Sequence, residues 1–485
     1  MVTTDRRGIE SALRRLPVPP MDIYRLVIVL GLLVTEAILG YVVFRFDRRE
    51  FILAACLLLP IALLLYRGGR AEYLVLSILL TAGLVRISLS TGTESQVVAS
   101  MLVSMIAVGI WVVGMMVVER RLRLKSVRTN VPLLGFIVVS AISLVWSYAF
   151  RDVLVITWYT FPLVQLASLV VMVLLPAVFL LVSNVIQDVR WLKVIWGVFL
   201  ALGAVGIISQ WLNLPTRRFV NTNGLFPLWI ISLTYAQALF NRELRLWQRV
   251  GLALLCLLWL YRQLGGAIIW ISGWAPALSA IVVTTFLRSK RLFIILVVLV
   301  VLWVGLRFDY FYDQVYVQSV EEGDMQRLDL WRTNLNHVIN HPLFGSGPAG
   351  YAVYYMTYHP ENARSTHNNY FDIVAQTGVV GFFFFLWFFV ALARTGMEVC
   401  QRLQHSNGFE AALAYGLVGG VAGAVASMML GDWIVPFAYN QTIMGFDHAV
   451  YAWVWMGALV SLYHILKARS EILASEGGDR QCCKS

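Results

Sequence analysis

The stretch PLVQLASLVVMVLLPAVFLLVSNVI, residues 162–186, contains no charged side chain between Asp152 and Asp188. At 1.5 Å per residue such a helix measures about 38 Å, more than the hydrocarbon core of about 30 Å. Its polar positions, Gln165, Ser168, Ser183 and Asn184, are too few to make a solvent-facing stripe. The segment reads as a membrane crossing.

Working outward, comparable runs lie near 26–44, 51–66, 72–89, 97–118, 131–149, 191–212, 225–240, 247–261, 267–287, 292–306, 376–393, 411–430 and 447–466. They are continuously apolar, whereas outer-membrane barrel strands alternate and are about 10 residues long. The composition agrees, with 59% apolar and 13% charged residues over 485 positions. The expected fold is all-α: a polytopic integral membrane protein with about 12–14 transmembrane helices. Arg6, Arg7, Arg14, Arg15 and Arg25 precede the first run, and no small-residue cleavage site follows it, so that run reads as an anchor. No internal repeat at a fixed period is visible.

Lysine and arginine near helix ends stay on the cytoplasmic side. Of the 38 Lys and Arg, 26 fall in loops on one side, including all five lysines and the run Glu119 to Lys125. Both termini are expected there. The net charge of +11 resides mostly in these juxtamembrane loops, where membrane lipids supply the counter-charge, and nucleic acid is discarded as a partner. Cys56 and Cys256 fall in spans and Cys400, Cys482 and Cys483 on the cytoplasmic side, so no disulfide is expected. The chain divides into a cytoplasmic segment 1–25, a helical region 26–306, a large extracytoplasmic loop 307–375, further spans over 376–466, and a tail 467–485.

The 307–375 loop is where chemistry is expected. Within it, residues 324–341 space Leu328, Trp331, Leu335 and Val338 as an amphipathic helix that can lie on the bilayer mouth. Pro342 ends it, and a glycine-rich turn through Gly345, Gly347 and Gly350 follows, where backbone can approach closely. An aromatic run, Tyr351 to Tyr358, suits either sugar stacking or the interfacial belt.

From Arg327 the chain reads Arg327-x-x-x-Trp331, then Pro342-x-Phe344-Gly345-x-Gly347, then His367-Asn368-Asn369-Tyr370, then Gly378-x-x-Gly381. These four elements, in this order over about 70 residues, resemble the O-antigen ligase and polymerase superfamily. The outside turn Arg217-Arg218-Phe219-Val220-Asn221-Thr222-Asn223-Gly224 looks like that family's second extracytoplasmic arginine site. One departure is Ser272-Gly273-Trp274, where many members have Ser-Arg-Gly; Arg262 is a candidate to supply the lost cation. The resemblance implies a GT-C-like helical bundle with a lateral opening for polyprenyl lipid. It also implies inverting glycosyl transfer without metal or other cofactor.

The donor so implied is a glycan on undecaprenyl diphosphate. Guanidinium groups hold a diphosphate with paired, charge-assisted hydrogen bonds that strengthen as the leaving group gains charge. Arg217, Arg218 and Arg327 are the candidates for this task; Arg48 and Arg49 read as snorkelling to headgroups. An acceptor hydroxyl needs a base, and imidazole titrates near neutral pH, which selects His367. Asn368, Asn369, Tyr370, Trp331, Gly345 and Gly347 are expected to support it, and Asp372 to orient the ring. The acceptor is left open: a lipid A core sugar for a ligase, a lipid-linked repeat for a polymerase, or a protein hydroxyl.

Other signals are set aside. Gly345-x-Gly347-x-x-Gly350 follows a helix and contains a proline, so it is a turn and not a dinucleotide fingerprint. His337 and His341 stand four apart but lack the metalloprotease glutamate and a third ligand. No Asp-x-Asp pair is present to clamp a divalent ion on a nucleotide sugar. Glu36 and Arg86, costly in lipid, are assigned to the bundle interior or to snorkelling. The competing class is a transporter, either a lipid-glycan flippase or an anion carrier.

Overall fold

The computed structural model describes residue 58 and residues 70–482 except 87, 91–95, 119, 216–219, 265–270, 313–323, 361–364 and 438–444. The expected span at 26–44, nearly all of that at 51–66, and Arg217 and Arg218 lie outside the described residues.

The chain is a helical membrane bundle. With no water to satisfy N–H and C=O groups in hydrocarbon, each apolar run must close its hydrogen bonds within itself. In chain order the helices are α1 (Glu72–Leu84), α2 (Ala99–Val117), α3 (Asn130–Ala149), α4 (Phe161–Val185), α5 (Val189–Trp211), α6 (Phe226–Phe240), α7 (Leu246–Leu264), α8 (Ile271–Arg288) and α9 (Lys290–Leu306). They continue as α10 (Phe308–Tyr312), α11 (Asp324–Asn340), α12 (Tyr351–Tyr358), α13 (Asn369–Arg402), α14 (Phe409–Ser427) and α15 (Gly445–Cys482). Among the described residues eight helices are long and apolar enough to cross a membrane: α2, α3, α4, α5, α8, α13, α14 and the Gly445–Ile472 part of α15. Helices α1 and α6 are apolar but shorter.

The deciding stretch forms α4 as read, and α4 packs against α15 at the centre of the bundle, where Trp453 and Trp455 are fully buried. Helix α14 fits between α6 and α8 because its glycines leave room: a Cβ on Gly416 would press on Ala236, and one on Gly419 on Ala280 O. Helix α9 buries no residue and presents an apolar surface all round. The run near 72–89 is helical only to Leu84. It then turns into a two-stranded antiparallel ribbon, Ser88–Ser90 with Ser88 opposite Val98 of Gln96–Val98.

Two differences from the sequence reading bear on the site. Helix α13 starts at Asn369, ahead of the apolar run, and is interrupted at Gly378 (φ 66°, ψ −174°). Helix α11 forms where expected, but its buried face is Leu330, Asn334, His337 and Val338, while Leu328, Leu335 and Ile339 make an exposed apolar stripe. The helix therefore has two working faces, a mixed one against the protein and an adjacent one suited to a bilayer surface.

Candidate functional site

The interruption of α13 is the foundation. A helix broken at Gly378 leaves carbonyls before the break and amides after it without partners, at a cost the chain must offset. The turn after α11 supplies both. Ser346 N and Gly347 N donate to Ala375 O and Gln376 O, each at 3.0 Å. In return Val379 N donates to Pro342 O at 2.8 Å and Val380 N to Leu343 O at 3.3 Å. Ser143 of α3 reinforces the joint, its Oγ donating to Phe344 O (2.6 Å) and to Gln376 O (2.5 Å). Gly345 and Gly347, at φ +66° and +86°, sit against this exchange; a Cβ on Gly345 would lie 2.6 Å from Ala375 O. The close backbone approach expected of the turn is thus directed at the broken helix.

From this joint α13 runs back to its N-terminus, where Asn368 caps it by accepting from Tyr370 N at 3.0 Å. His367 precedes the cap in a left-handed conformation (φ 51°), which a non-glycine residue holds only when its neighbours fix it. Here they do. Thr366 Oγ1 donates to Asp372 Oδ1 (2.6 Å), Thr366 N donates to the same oxygen (3.3 Å), and His367 N donates to Ser365 Oγ (3.2 Å). Trp331 of α11 donates from Nε1 to Thr366 O at 3.0 Å and stacks on Phe371 with centroids 5.4 Å apart. The imidazole is only partly buried although Ser365, Thr366, Asn368 and Asn369 around it are buried.

The supporting residues have definite tasks. Asn369 Oδ1 accepts from Ile434 N (2.9 Å) and its Nδ2 donates to Val435 O (2.7 Å), which pins the connection between α14 and α15 beside the histidine turn. Tyr370 donates its hydroxyl to Val425 O at 3.0 Å. Asp372 works through Thr366, and its Oδ1 also accepts from Tyr351 Oη at 2.5 Å; its Oδ2 is buried without a partner among the described residues. Close by, Asp432 accepts from Phe437 N at 3.1 Å. Burial, and after it the Asp372 carboxylate, push the Asp432 carboxyl up to about 7.

Arg327 lies on α11, four residues and about one helical turn before Trp331. The described residues that follow Arg217 and Arg218 are held by several contacts. On one side Gln210 Nε2 donates to Thr222 Oγ1 (3.0 Å) while its Oε1 accepts from Arg262 Nε (2.7 Å). On the other, Arg86 donates to Val220 O (2.6 Å), and Leu225 N donates to His448 O (3.2 Å). His448 faces Trp433 at 6.4 Å between ring centroids, which joins this segment to the loop that Asn369 pins. Sequence reasoning singled out Arg262 but missed Arg86 as a partner of this segment; an arginine at a span end was the available signal.

A second feature flanks α11. His337, Asn336 and His341 line a cleft of about 760 Å³ with Arg151, Tyr354 and Tyr358. His337 shares a hydrogen bond with Ser346 Oγ at 3.0 Å, and burial, then the neighbouring His341, pull its imidazole down to about 3. It is therefore neutral near pH 7. Among the described residues no three His, Cys, Asp or Glu side chains gather at metal-binding spacing.

The arrangement presents one accessible imidazole on a braced turn, at the foot of a loop tied into a membrane helix, with an arginine-bearing helix fastened beside it. No curated protein matches this chain in sequence. Residues 230–386, from α6 through the loop into α13, match the family described as O-antigen ligase.

Proposed function

We propose that this protein transfers a glycan from undecaprenyl diphosphate to an acceptor hydroxyl, on the extracytoplasmic face of a bacterial cytoplasmic membrane, with both chain termini on the other face. The observation that carries the reading is the hydrogen bond from Trp331 Nε1 to Thr366 O (3.0 Å), which fastens the helix bearing Arg327 to the turn that presents His367.

In this reaction the acceptor O–H gives its proton to the His367 imidazole as its oxygen attacks the anomeric carbon. The bond from that carbon to the diphosphate oxygen breaks on the opposite side, which inverts configuration. The leaving diphosphate carries away the bonding electron pair, and Arg217, Arg218 and Arg327 hold its growing charge. A base of this kind contributes about 10²–10⁴-fold. The acceptor is a lipid A core sugar if the protein is a ligase and the end of a lipid-linked repeat if it is a polymerase.

The deciding experiment uses purified, reconstituted protein with lipid-linked donor and acceptor, in the presence of a chelator. His367→Ala should lose product by about 10²–10⁴-fold with unchanged membrane insertion. Full turnover in that variant removes the base, and a strict need for a divalent cation removes the metal-independent route. A flippase would continue to move lipid-linked glycan after His367→Ala.

A further inference from the structure

The connection between α2 and α3 carries Arg120, Arg121, Arg123 and Lys125, and the reaction above gives these cations no task. It lies at the end of the bundle remote from the 307–368 loop. Helix α3 starts just after it and ends at Ala149, beside the segment where Asp152 and Ile156 touch Tyr354, Thr357 and Tyr358 of α12. The length of α3 separates the two ends by about 30 Å.

At that remote end a cleft of about 700 Å³ opens between the ends of α2 and α4 and the later part of α15. Arg123, Lys125 and Lys467 line it on the polar side, and Trp111 and Met115 on the apolar side. The cation-bearing backbone is fixed: Lys125 N donates to Asn184 Oδ1 at 2.7 Å, and Asn130 Nδ2 donates to Lys125 O at 2.8 Å. Asn184 is itself held by donating to Leu180 O at 2.8 Å. Among the described residues neither Arg123 nor Lys125 has a carboxylate partner; Glu471, in the same lining, lies 4.0 Å from Lys467. His464 also lines the cleft, and its Nε2 is buried without a hydrogen-bond partner among the described residues. Burial pulls the half-buried Lys125 ammonium down, so a charged Lys125 gains from an anion placed beside it.

We propose that this cleft binds a phosphate-bearing anion, with Arg123 and Lys125 on the phosphate oxygens. The apolar wall of Trp111 and Met115 favours a lipid, whose headgroup enters the basic end while its chains follow the helices outward. The site is independent of the glycan-transfer reading.

The test is native mass spectrometry of the full chain offered phosphatidylglycerol, phosphatidylcholine or inorganic phosphate. The parent should retain phosphatidylglycerol over phosphatidylcholine. Removing one cation should weaken retention about fivefold, and the Arg123→Ala, Lys125→Ala double variant about twenty-five-fold. Arg190→Ala, at the same end but paired with Asp188, should change nothing. Lys125→Gln alone serves if the double variant does not fold. Phosphate binding with the same dependence on Arg123 and Lys125, and no preference for phosphatidylglycerol, assigns the site to a soluble phosphate compound. Unaltered phosphatidylglycerol retention in a monodisperse variant, or a parent with no phosphate binding and no lipid preference, overturns the proposal.

Discussion

Gly378→Ala tests whether the loop is held by the broken helix. The residue sits at φ 66°, ψ −174°, and a Cβ there would overlap the Leu343 carbonyl. That conformation is essentially restricted to glycine and costs another residue about 1–3 kcal/mol. The added carbon also pushes the turn away from α13, which endangers the four backbone hydrogen bonds between 342–347 and 375–380. At about 1 kcal/mol net each they bring the total to about 5–7 kcal/mol. Whole domains are stable by about 5–15 kcal/mol, so the cheaper response is local: the turn detaches while the bundle core stays folded. Limited proteolysis of reconstituted protein should therefore show new cleavage within 342–350, and glycan transfer should fall at least a hundredfold because the His367 turn is braced through the same region. Gly109→Ala, where nothing lies within 4 Å of the added carbon, should be neutral or slightly stabilising. A Gly378→Ala protein as protease-resistant and as active as its parent would refute the interlock.

Trp331→Phe keeps the stacking on Phe371 but loses the bond to Thr366 O; turnover should drop about tenfold, the worth of roughly 1.4 kcal/mol, with little change in thermal unfolding. For Asp432, whose folded carboxyl is raised to about 7 from 3.8, stability is fully present below the unfolded value and declines as pH rises through the folded one. Asp432→Asn should flatten that decline between about pH 4 and 7 in fluorescence-detected melts, and an unchanged slope would contradict the buried assignment. His337 has the opposite sense for a cation: its folded value is depressed to about 3, so its contribution is present above about 6.5 and is lost as pH falls. His337→Gln, which retains a partner for Ser346 Oγ, should reduce the loss of stability between pH 7 and 5 in the same melts.

The fold class was legible because membrane crossings write themselves as long uncharged runs, and the 162–186 stretch became α4 with little adjustment. The order of motifs was equally legible: Trp331, Gly345, Gly347, His367, Asn368, Asn369 and Tyr370 do converge. What the sequence did not disclose is how they converge. The partner of the glycine turn is the backbone of 375–380, and no side-chain pattern announces a main-chain partner. Leu328 and Leu335 were read as part of an amphipathic helix and form its exposed stripe; the burial of Asn334 and His337 on the adjacent face was not legible, and of the two it is His337 that meets the turn, through Ser346 Oγ. Asp372 was expected to act on the histidine ring; its observed contacts hold Thr366 and Tyr351. Arg86 and His448 come to residues 220–225 only through tertiary packing across more than a hundred positions.

The reciprocal pairing of 342–347 with 375–380 has a consequence for exchanging parts between homologous proteins. The loop is not a detachable module, since it completes the hydrogen bonding of a membrane helix and in turn borrows Ser143 from another. A chimera that transplants residues 307–368 alone would graft a plug without its socket. One that carries the 369–381 segment and the serine of α3 along with it moves a self-consistent unit, and with it the geometry that presents the histidine.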